Sequence, residues 1–347
     1  MVWGTTAVRL GVIVASVLGL WLGARLLVDS AVRLARRAGL SELAIGLTVV
    51  AMGTSTPELV VTTDAALAGA GDIAVGNVVG SNIYNLAFIL GVVSLVRVIP
   101  IERSLVHRDG LVLVGSTLVG FAVMWNLTVG RVEGLVLIGL LVAYTGYLLR
   151  AESHGEVGPE SSAPAETPDE TPAKTPDETP PDGSRESPEA FDVEEHASPP
   201  RDVALLVAGL ALVLVSGHYM VESATALARG AGVSEWVIGG TIVAAGTSTP
   251  EFAVSLVAMR QGRVGVSVGN VVGSNVFNVL GILGVGAVIS PLSVSATALE
   301  SMVWLTVLVV VMVVALWSGR KLSRPEGGLF ALSELVRWTL GLLGIVG

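Results

Sequence analysis

Two motifs occur twice in this chain, in the same order and at the same separation. GTSTPE spans 53–58 and recurs at 246–251, and GNVVGSN spans 76–82 and recurs at 269–275. Both copies are displaced by 193 positions, which is 246 minus 53 and 269 minus 76. A repeat of this length, with no insertion between the paired motifs, predicts a fold made of two copies of one structural unit.

The repeated unit is too apolar for a water-soluble domain. Hydrophobic residues make up 52% of the chain and charged residues 14%, whereas about 25% of a soluble domain is charged. The chain has no cysteine, which excludes disulfides and thiolate metal sites. Ten apolar stretches are long enough to cross a bilayer as helices, at 8–28, 42–68, 72–96, 108–126, 132–150, 202–222, 234–259, 265–290, 299–317 and 329–346. The sequence therefore predicts an all-α integral membrane protein with ten transmembrane helices.

Each copy of the repeat contains five of these spans. Because five is odd, the second copy enters the membrane from the opposite side, and the two form an inverted-topology repeat of the kind found in secondary transporters. We expect the first five-helix repeat at 1–150 and the second at 202–347. The first span corresponds to the sixth, so it belongs to the fold and is not a signal peptide.

The segment 151–201 between the repeats has a different composition. It contains ETPDETPAKTPDETPPDGSRESPE and lacks apolar periodicity, which indicates an acidic disordered linker. Much of the net charge of −9 comes from this segment. The charge therefore says little about partners.

The arginines predict the orientation in the membrane, because cytoplasmic loops are enriched in basic residues. If both termini lie outside, only Arg9, Arg131 and Arg229 fall on the outer side. The cytoplasmic loops then contain Arg33, Arg36, Arg37, Arg97, Arg103, Arg108, Arg150, Arg201, Arg260, Arg263, Arg320, Lys321 and Arg324. We expect a multi-pass protein of the cell membrane, with its N- and C-termini outside and the linker in the cytoplasm.

A proline and a carboxylate interrupt the second span within GTSTPE. Pro57 has no N–H to donate to the Gly53 carbonyl, so the helix should be kinked or unwound there. Freed carbonyls and a charge are tolerated at this depth only where they line a cavity or bind a ligand. Thr54 and Glu58 are four residues apart with Ser55 beside them, which brings hydroxyl and carboxylate oxygens together. The alternative is a structural kink with a neutral glutamic acid, which the duplication disfavours.

The GNVVGSN motif adds further oxygens. Three polar residues recur at four-residue steps along one face of the third helix and again in the eighth: Asn77, Ser81 and Asn85, then Asn270, Ser274 and Asn278. Gly76 and Gly80 should let a neighbouring backbone approach closely. Across the pseudo-twofold axis the halves would form one mid-membrane site, with two glutamates among hydroxyl and amide oxygens.

Electrostatics indicates what such a site would bind. Two carboxylates about 6 Å apart repel by roughly 3 kcal/mol at an effective dielectric constant near 20, so the site should attract cations or protons. Ca²⁺ takes about six to eight hard oxygen ligands, and the motifs contain no His or Cys that would favour zinc or copper. Calcium fits best, and sodium ions could occupy the same oxygens.

At these residues the sequence resembles the sodium/calcium exchanger branch of the cation/calcium antiporter superfamily, prokaryotic type. GTSTPE with GNVVGSNIYN, and GTSTPE with GNVVGSNVFN, are similar to its two signature repeats. The resemblance covers the chain outside the linker and implies alternating access, in which the first and sixth helices slide past a rigid core. The ion ligands that it implies are the side chains of Glu58, Glu251, Thr54, Ser55, Ser81, Asn85, Thr247, Ser248, Ser274 and Asn278, with the backbone carbonyls of Ala51 and Ala244.

One position departs from the family pattern. Some prokaryotic members carry Asp where this chain has Asn278, and Asn85 occupies the equivalent position in the first half. A neutral amide neither takes up a proton nor adds charge to balance a third sodium ion. The sodium stoichiometry therefore stays open.

The leading hypothesis is a secondary active antiporter that exchanges Na⁺ for Ca²⁺ across the cell membrane, with these ions and the lipid bilayer as partners. The alternatives are a Ca²⁺/H⁺ antiporter, in which Glu58 and Glu251 carry protons, and a passive cation channel. The chain lacks a G-x-x-x-x-G-K-[ST] loop, which argues against an ATP-driven pump. We expect no enzymatic activity, no cofactor, and neither nucleic acid nor nucleotide as a partner.

Four charged residues have other interpretations. Asp29 and Glu222 lie near helix ends on opposite membrane sides. They should be interfacial residues or caps, with the guarding of an access path as the alternative. Glu334 and Arg337 are three residues apart in the tenth span and should pair locally.

Overall fold

The computed structural model describes residues 2–100, 105–153, 199–232, 244–319 and 321–342. Its helices are α1 (Val2–Ala38), α2 (Glu42–Thr54), α3 (Thr56–Leu67), α4 (Gly71–Val96), α5 (Leu111–Met124), α6 (Arg131–Ser153), α7 (Pro199–Gly230), α8 (Ala244–Thr247), α9 (Thr249–Arg260), α10 (Val264–Ile289), α11 (Ala296–Gly319) and α12 (Arg324–Leu342). Single π-helical turns lie within α2 (Gly46–Val50), α4 (Tyr84–Ile89) and α10 (Asn278–Ile282), and another (Leu105–Gly110) precedes α5. Short strands connect helix ends: β1 (Ile99–Pro100), β2 (Thr128–Val129), β3 (Leu292–Ser293) and β4 (Lys321–Leu322).

The predicted all-helical membrane fold is confirmed, but length and hydropathy support fewer spans than ten. Within the described ranges six helices are long and apolar enough to cross a membrane, namely α1, α4, α6, α7, α10 and α11. The bent pair α2–α3 would be a seventh. The ten-span count stays a prediction.

The other three predicted spans coincide with helices that are shortened, broken or more polar. For the span at 108–126, a π turn leaves α5 with only 14 residues. The span at 234–259 is broken between α8 and α9, and its first part falls in 233–243, outside the described residues. At 329–346, α12 carries Glu334 and Arg337, which lower its hydropathy.

Helices α1 and α7 each extend at both ends beyond the spans predicted for them. Hydropathy ends the first span before Arg33 and Arg37, but these two side chains are paired. Arg33 lies 2.7 Å and Arg37 3.3 Å from the carboxylate of Asp202, at the start of α7. The fully buried Asp202 therefore neutralises the polar end of α1 and lets both helices continue.

Both ends of the predicted linker are helical. Helix α6 continues to Ser153 and α7 begins at Pro199, so each takes three residues of 151–201. Residues 154–198 lie outside the described part of the chain. The division into two repeats and a linker stays a prediction from the sequence.

The strands reproduce the sequence repeat. β1 pairs with β4, and β2 pairs with β3, both antiparallel. A shift of 193 positions turns β1 into β3 and β2 into β4, and so exchanges the two sheets. Because one helical segment, α5, separates β1 from β2, the sheets lie at opposite ends of the molecule. This exchange is what an inverted repeat predicts.

Helices α1 and α7 pack together through their backbones. A Cβ atom added to Gly23 would lie 2.9 Å from the carbonyl oxygen of Gly209, and one added to Gly209 would lie 2.7 Å from the nitrogen of Leu27. Such an approach requires small residues on both helices. The first and sixth predicted spans therefore form one closely packed pair.

The close approach predicted for the GNVVGSN glycines is confirmed in the second copy. A Cβ atom on Gly269 of α10 would lie 2.6 Å from the carbonyl oxygen of Leu43 in α2. For Gly76 and Gly80, no described residue lies within 4 Å of an added Cβ atom. The repeat counterpart of the α2 segment around Leu43, at 236–240, is outside the described ranges, so the expectation for the first copy stays a prediction.

Charged side chains meet at one end of the molecule. Arg263 donates to Glu42 at 2.9 Å, and Glu152 accepts from the backbone N–H of Ser41 at 2.8 Å while it lies 3.6 Å from Arg108. These contacts join the start of α2 to the end of α6 and to the turn after α9, and the Asp202 pairs join α1 to α7. The arginines involved are among those that the sequence places in the cytoplasm.

Candidate cation site

One non-helical residue breaks the second span just before its glutamate. Ser55, with φ −79° and ψ 15°, separates α2 from α3, and the two helix axes differ by 47°. Pro57 is the second residue of α3, where a missing N–H leaves no helical bond unmade. The predicted break at this motif is confirmed.

The second motif repeats this geometry. Ser248, with φ −88° and ψ 12°, separates α8 from α9, and Pro250 again precedes the glutamate. Each break places a carboxylate, Glu58 or Glu251, in the first turn of the following helix. There the positive end of the helix dipole favours negative charge. Both glutamates are 0% exposed.

Reciprocal hydrogen bonds join the two breaks. Ser55 of the first repeat donates to Oε1 of Glu251 at 2.8 Å, and Ser248 of the second donates to Oε1 of Glu58 at 2.9 Å. Each serine thus binds the carboxylate of the other repeat. The two predicted central glutamates therefore belong to one buried site.

Other predicted ligands surround the glutamates without keeping the twofold symmetry. Ser81 donates to Oε1 of Glu58 at 3.5 Å, whereas its counterpart Ser274 donates to the backbone carbonyl of Ala51 at 3.4 Å. The hydroxyl of Thr54 lies 3.3 Å from the same carbonyl and 3.0 Å from its other acceptor, Oδ1 of Asn270. The Ala51 carbonyl therefore lies among the side chains of the site.

The two remaining predicted ligands of the second repeat lie just before its break. Ala244 begins and Thr247 ends α8, a single helical turn directly preceding Ser248. Thr247 is half-buried. These positions match those of Ala51 and Thr54 in the first repeat.

Several buried polar atoms of the site have no hydrogen-bond partner among the described residues: Glu58 Oε2, Glu251 Oε2, Asn278 Oδ1, and both Oδ1 and Nδ2 of Asn85. An unpaired buried polar group costs about 1–3 kcal/mol, and a bound cation would satisfy the oxygens among these atoms. In the described ranges no three His, Asp or Glu side chains cluster as a metal site. The residues present therefore fit a hard cation held by two carboxylates and neutral oxygens.

Two asparagines of GNVVGSN support the broken helices instead of contributing to the predicted ligands. Asn77 donates to the backbone carbonyl of Glu58 at 3.0 Å and to Thr62 at 2.9 Å. Asn270 makes the same two contacts in the second repeat, at 3.3 and 2.9 Å. The four-residue spacing placed them on the ligand face but did not reveal this supporting role.

Asn82 is a contact residue that sequence reasoning missed. Its Nδ2 donates to the backbone carbonyl of Asn275 at 3.0 Å, and its Oδ1 accepts from Nδ2 of Asn278 at 2.9 Å. The only signal for it was its place inside the repeated motif. It links α4 to α10 beside the site.

A cavity of about 330 Å³ adjoins the site between α7 and α3, and the prolines that precede the two glutamates line it. Val61 and Val221 also line it. Their repeat counterparts, Val254 and Val28, are 0% exposed and pack in one cluster where α1 meets α9. In the described part of the chain, the space beside the site is therefore open toward one end and closed toward the other.

The other charged residues differ in their surroundings. Asp29 accepts from Gln261 at 3.0 Å, which ties α1 to the turn after α9. Its counterpart Glu222 is exposed, 4.0 Å from His218 of the same helix. The predicted local pair in α12 is confirmed, since Arg337 donates to Glu334 at 2.8 Å.

Comparisons with known proteins agree on one family. The family model described as sodium/calcium exchanger protein matches residues 8–150 and 202–333. These ranges lie on either side of the predicted linker.

Individual relatives cover most of the chain. The putative antiporter CaxA of Alkalimonas amylolytica is 33% identical over 324 residues, 91% of this chain and 92% of that protein. The sodium/calcium exchanger MaX1 of Methanosarcina acetivorans is 30% identical over 286 residues, 80% of this chain and 82% of that protein. Among solved structures, the sodium-calcium exchanger NCX_Mj soaked with Na⁺ and Ca²⁺ matches with a TM-score of 0.76 and 26% identity, covering 95% of this chain and 97% of that one.

Proposed function

Because this chain belongs to the sodium/calcium exchanger family of cation/calcium antiporters, we propose that it exchanges Na⁺ for Ca²⁺ across the cell membrane by alternating access. The ions bind in the middle of the membrane between the two repeats. Glu58 and Glu251 are the central ligands, and each cation set replaces the other at the same oxygens.

One observation carries this proposal: the reciprocal bonds from Ser55 to Glu251 and from Ser248 to Glu58. They hold two fully buried carboxylates together with no basic side chain hydrogen-bonded to either among the described residues. Buried charges need compensation. A calcium ion neutralises both carboxylates at once, and two sodium ions do so together.

The remaining ligands are neutral oxygens. In this proposal the first repeat contributes side chains of Thr54, Ser55, Ser81 and Asn85 with the Ala51 carbonyl, and the second contributes Thr247, Ser248, Ser274 and Asn278 with the Ala244 carbonyl. Ca²⁺ accepts about six to eight oxygens in a flexible shell. A set of this size lets the shell rearrange between one divalent and several monovalent ions.

Alternating access is supported by the separation of the chain into a helix pair and a core. Helices α1 and α7 pack through Gly23 and Gly209 and run beside the broken helices. Movement of this pair past the core would close the cavity at Val221 and open the tightly packed contact at Val28. The carboxylates would then face one side of the membrane at a time.

The proposed orientation has the N- and C-termini outside and the linker 151–201 in the cytoplasm. Support comes from the cluster of Arg33, Arg37, Arg108 and Arg263 at one end of the molecule, because basic residues accumulate on the cytoplasmic side. The cavity beside the site then opens toward the outside.

The test is uptake of radiolabelled calcium by proteoliposomes. Vesicles loaded with sodium are diluted into sodium-free buffer, with the proton gradient collapsed by an uncoupler and the membrane potential clamped. We expect uptake only when sodium is inside. Uptake that instead requires an imposed pH gradient would favour Ca²⁺/H⁺ antiport, and uptake without any counter-ion would favour a channel.

Substitution of the glutamates tests their role. We expect that E58Q and E251Q each abolish exchange, because a neutral amide cannot balance the bound cations. E300Q is the matched control, since Glu300 is exposed on α11 and should leave the flux unchanged. Exchange at the unmodified rate in either E58Q or E251Q would refute the proposal.

A further inference from the structure

A chain of hydrogen bonds fixes the orientation of the Asn278 side-chain amide beside the site. The backbone carbonyl of Asn275 can only accept, so Asn82 must present its Nδ2 to it, at 3.0 Å. The Oδ1 of Asn82 then faces Asn278 and accepts from its Nδ2 at 2.9 Å. The Oδ1 of Asn278 is left without a hydrogen-bond partner among the described residues.

Both side chains in this chain of bonds are buried, so water does not compete for them: Asn82 is 1% and Asn278 0% exposed. The two ends of a side-chain amide have nearly the same shape but opposite hydrogen-bonding character. A backbone carbonyl, which cannot rotate, thus sets the orientation of two amides in succession.

The first repeat has no equivalent chain in the described structure. Asn275, the counterpart of Asn82, donates to the carbonyl of Val271 in its own helix at 2.7 Å. Asn85, the counterpart of Asn278, has no hydrogen-bond partner at either amide atom among the described residues. The two halves therefore carry the same asparagines, but of the two predicted ligands Asn85 and Asn278, only Asn278 has its amide fixed by a described hydrogen bond.

We propose that Asn82 is a positioning residue for the cation site, which holds the amide of Asn278 so that its Oδ1 is left to coordinate the bound cation. This rests on the proposed function, because it takes Asn278 as a ligand. Asn85, which lacks such a partner, turns its oxygen to the cation only when the cation binds.

The arrangement has a chemical consequence for selectivity. An amide NH₂ group has no lone pair to offer a cation. If the Asn278 amide rotated so that Oδ1 and Nδ2 exchanged places, the site would lose one oxygen ligand and point hydrogens at the ion. The energy of an ion with a fixed dipole is proportional to the ionic charge. Loss of the fixed orientation should therefore weaken Ca²⁺ binding more than Na⁺ binding.

The experiment is calorimetric titration of the purified full chain in detergent with CaCl₂, with sodium affinity obtained by competition. In N82L, which has no acceptor for Asn278, we expect calcium affinity to fall about 10- to 100-fold, as is typical when a residue that orients a metal ligand is replaced, with a smaller fall for sodium. The matched control is N275L, which leaves the Asn275 backbone carbonyl in place and should bind calcium as the unmodified chain does. Unchanged calcium affinity in N82L, or an equal loss in N275L, would overturn the proposal.

A second variant separates positioning from general structural support. N82D keeps an oxygen that accepts from Asn278 but loses the donor to Asn275. We expect calcium affinity equal to or higher than that of the unmodified chain, and a loss as large as expected for N82L would overturn the proposal. N82D also decides the matter if N82L does not fold.

Calcium binding is measured without any coupling ion, so the two proposals fail in different ways. If the unmodified chain binds calcium but exchanges it for protons, sodium exchange is refuted. The calcium affinities of the Asn82 variants then still test the positioning role of Asn82. If the unmodified chain does not bind calcium, both are refuted.

Discussion

Ser248 and Glu58 are hydrogen-bonded at 2.9 Å across the two repeats, so the carboxylate of one half depends on the helix break of the other. Ser55 and Glu251 repeat the relationship in the opposite direction. Neither half alone therefore contains a complete site. Because both contacts lie at breaks between helices, a shift of one broken span is felt at both glutamates.

Removal of either serine hydroxyl should weaken cation binding. Each hydroxyl positions the carboxylate of the other repeat and is itself a proposed oxygen ligand. Loss of a group that orients a metal ligand typically costs about 10- to 100-fold in affinity, so we expect S248A and S55A each to lower calcium affinity about tenfold or more, measured by calorimetric titration. S116A is the control, since this buried hydroxyl bonds the Leu113 carbonyl of its own helix. Affinity in S248A equal to that of S116A would contradict the role assigned to the hydroxyl.

The centre of the site could be predicted from the sequence because it depends on local rules. Proline removes a helix donor, so the breaks before Glu58 and Glu251 follow from two residues of the motif. The equal spacing in both halves then predicts that the glutamates meet. Ser55 and Ser248 were also identified, although their bonds to the opposite repeat were not.

The asymmetry of the site could not be predicted, because the motif letters are the same in both halves. Ser81 bonds a carboxylate while Ser274 bonds a carbonyl, and Asn82 bonds across the repeats while Asn275 bonds its own helix. A duplicated sequence predicts duplicated contacts. Differences between the halves arise from how the packed helices are shifted, which no single motif encodes.

The full helix lengths could not be predicted where distant residues compensate a charge. Hydropathy ends the first span before Arg33, but Asp202, far along the sequence, neutralises it and α1 continues. A sliding hydropathy average includes no such partner. The π turn before α5 was also not predicted, since a change of helix type has no apolar periodicity of its own.

The hydrogen bond from Gln261 to Asp29 should stabilise the described conformation, in which the cavity beside the site is lined by Val221 and the contact at Val28 is closed. It ties α1 to the turn after α9, at the end where the site is closed. Loss of such a bond costs about 1 kcal/mol, which is roughly fivefold in population. We expect Q261A to increase the rate of maleimide labelling at V28C about fivefold, because Val28 becomes accessible only when α1 moves.

This measurement has a clean background and a matched control. The chain contains no cysteine, so V28C is the single reactive thiol. E222Q changes the repeat counterpart of Asp29, whose described ion pair is with His218 in its own helix, and should leave the labelling rate unchanged. Equal labelling rates in Q261A and in the unmodified background would show that the hydrogen bond between Gln261 and Asp29 does not affect this conformational change.

Gly269, the first glycine of the second GNVVGSN copy, should not tolerate alanine. In G269A the added methyl group would lie 2.6 Å from the carbonyl oxygen of Leu43 and 2.9 Å from the nitrogen of Leu47. Backbone atoms cannot rotate away, so we expect a loss of about 1–3 kcal/mol, measured as a lower Tm in detergent. A Tm at or above that of the unmodified chain would contradict this packing.

G139A is the matched control on α6. Gly139 is exposed, an added Cβ atom there meets no described residue within 4 Å, and alanine in a helix is favoured over glycine by about 0.5–1 kcal/mol. We therefore expect an unchanged or slightly higher Tm. A fall in Tm equal to that of G269A would mean that the loss reflects the helix and not the contact with α2.

The neutral Asn278 should make exchange insensitive to the membrane potential. Two carboxylates are neutralised by one Ca²⁺ or by two Na⁺, and a third Na⁺ would leave an uncompensated charge in a buried site. We expect equal calcium uptake by sodium-loaded vesicles clamped at 0 mV and at about 100 mV inside positive. Movement of one net charge per cycle would add about 2.3 kcal/mol at that potential, so faster uptake would contradict two-for-one exchange.

N278D supplies a carboxylate that can balance a third sodium ion, and calcium uptake by this variant should increase at the inside-positive potential.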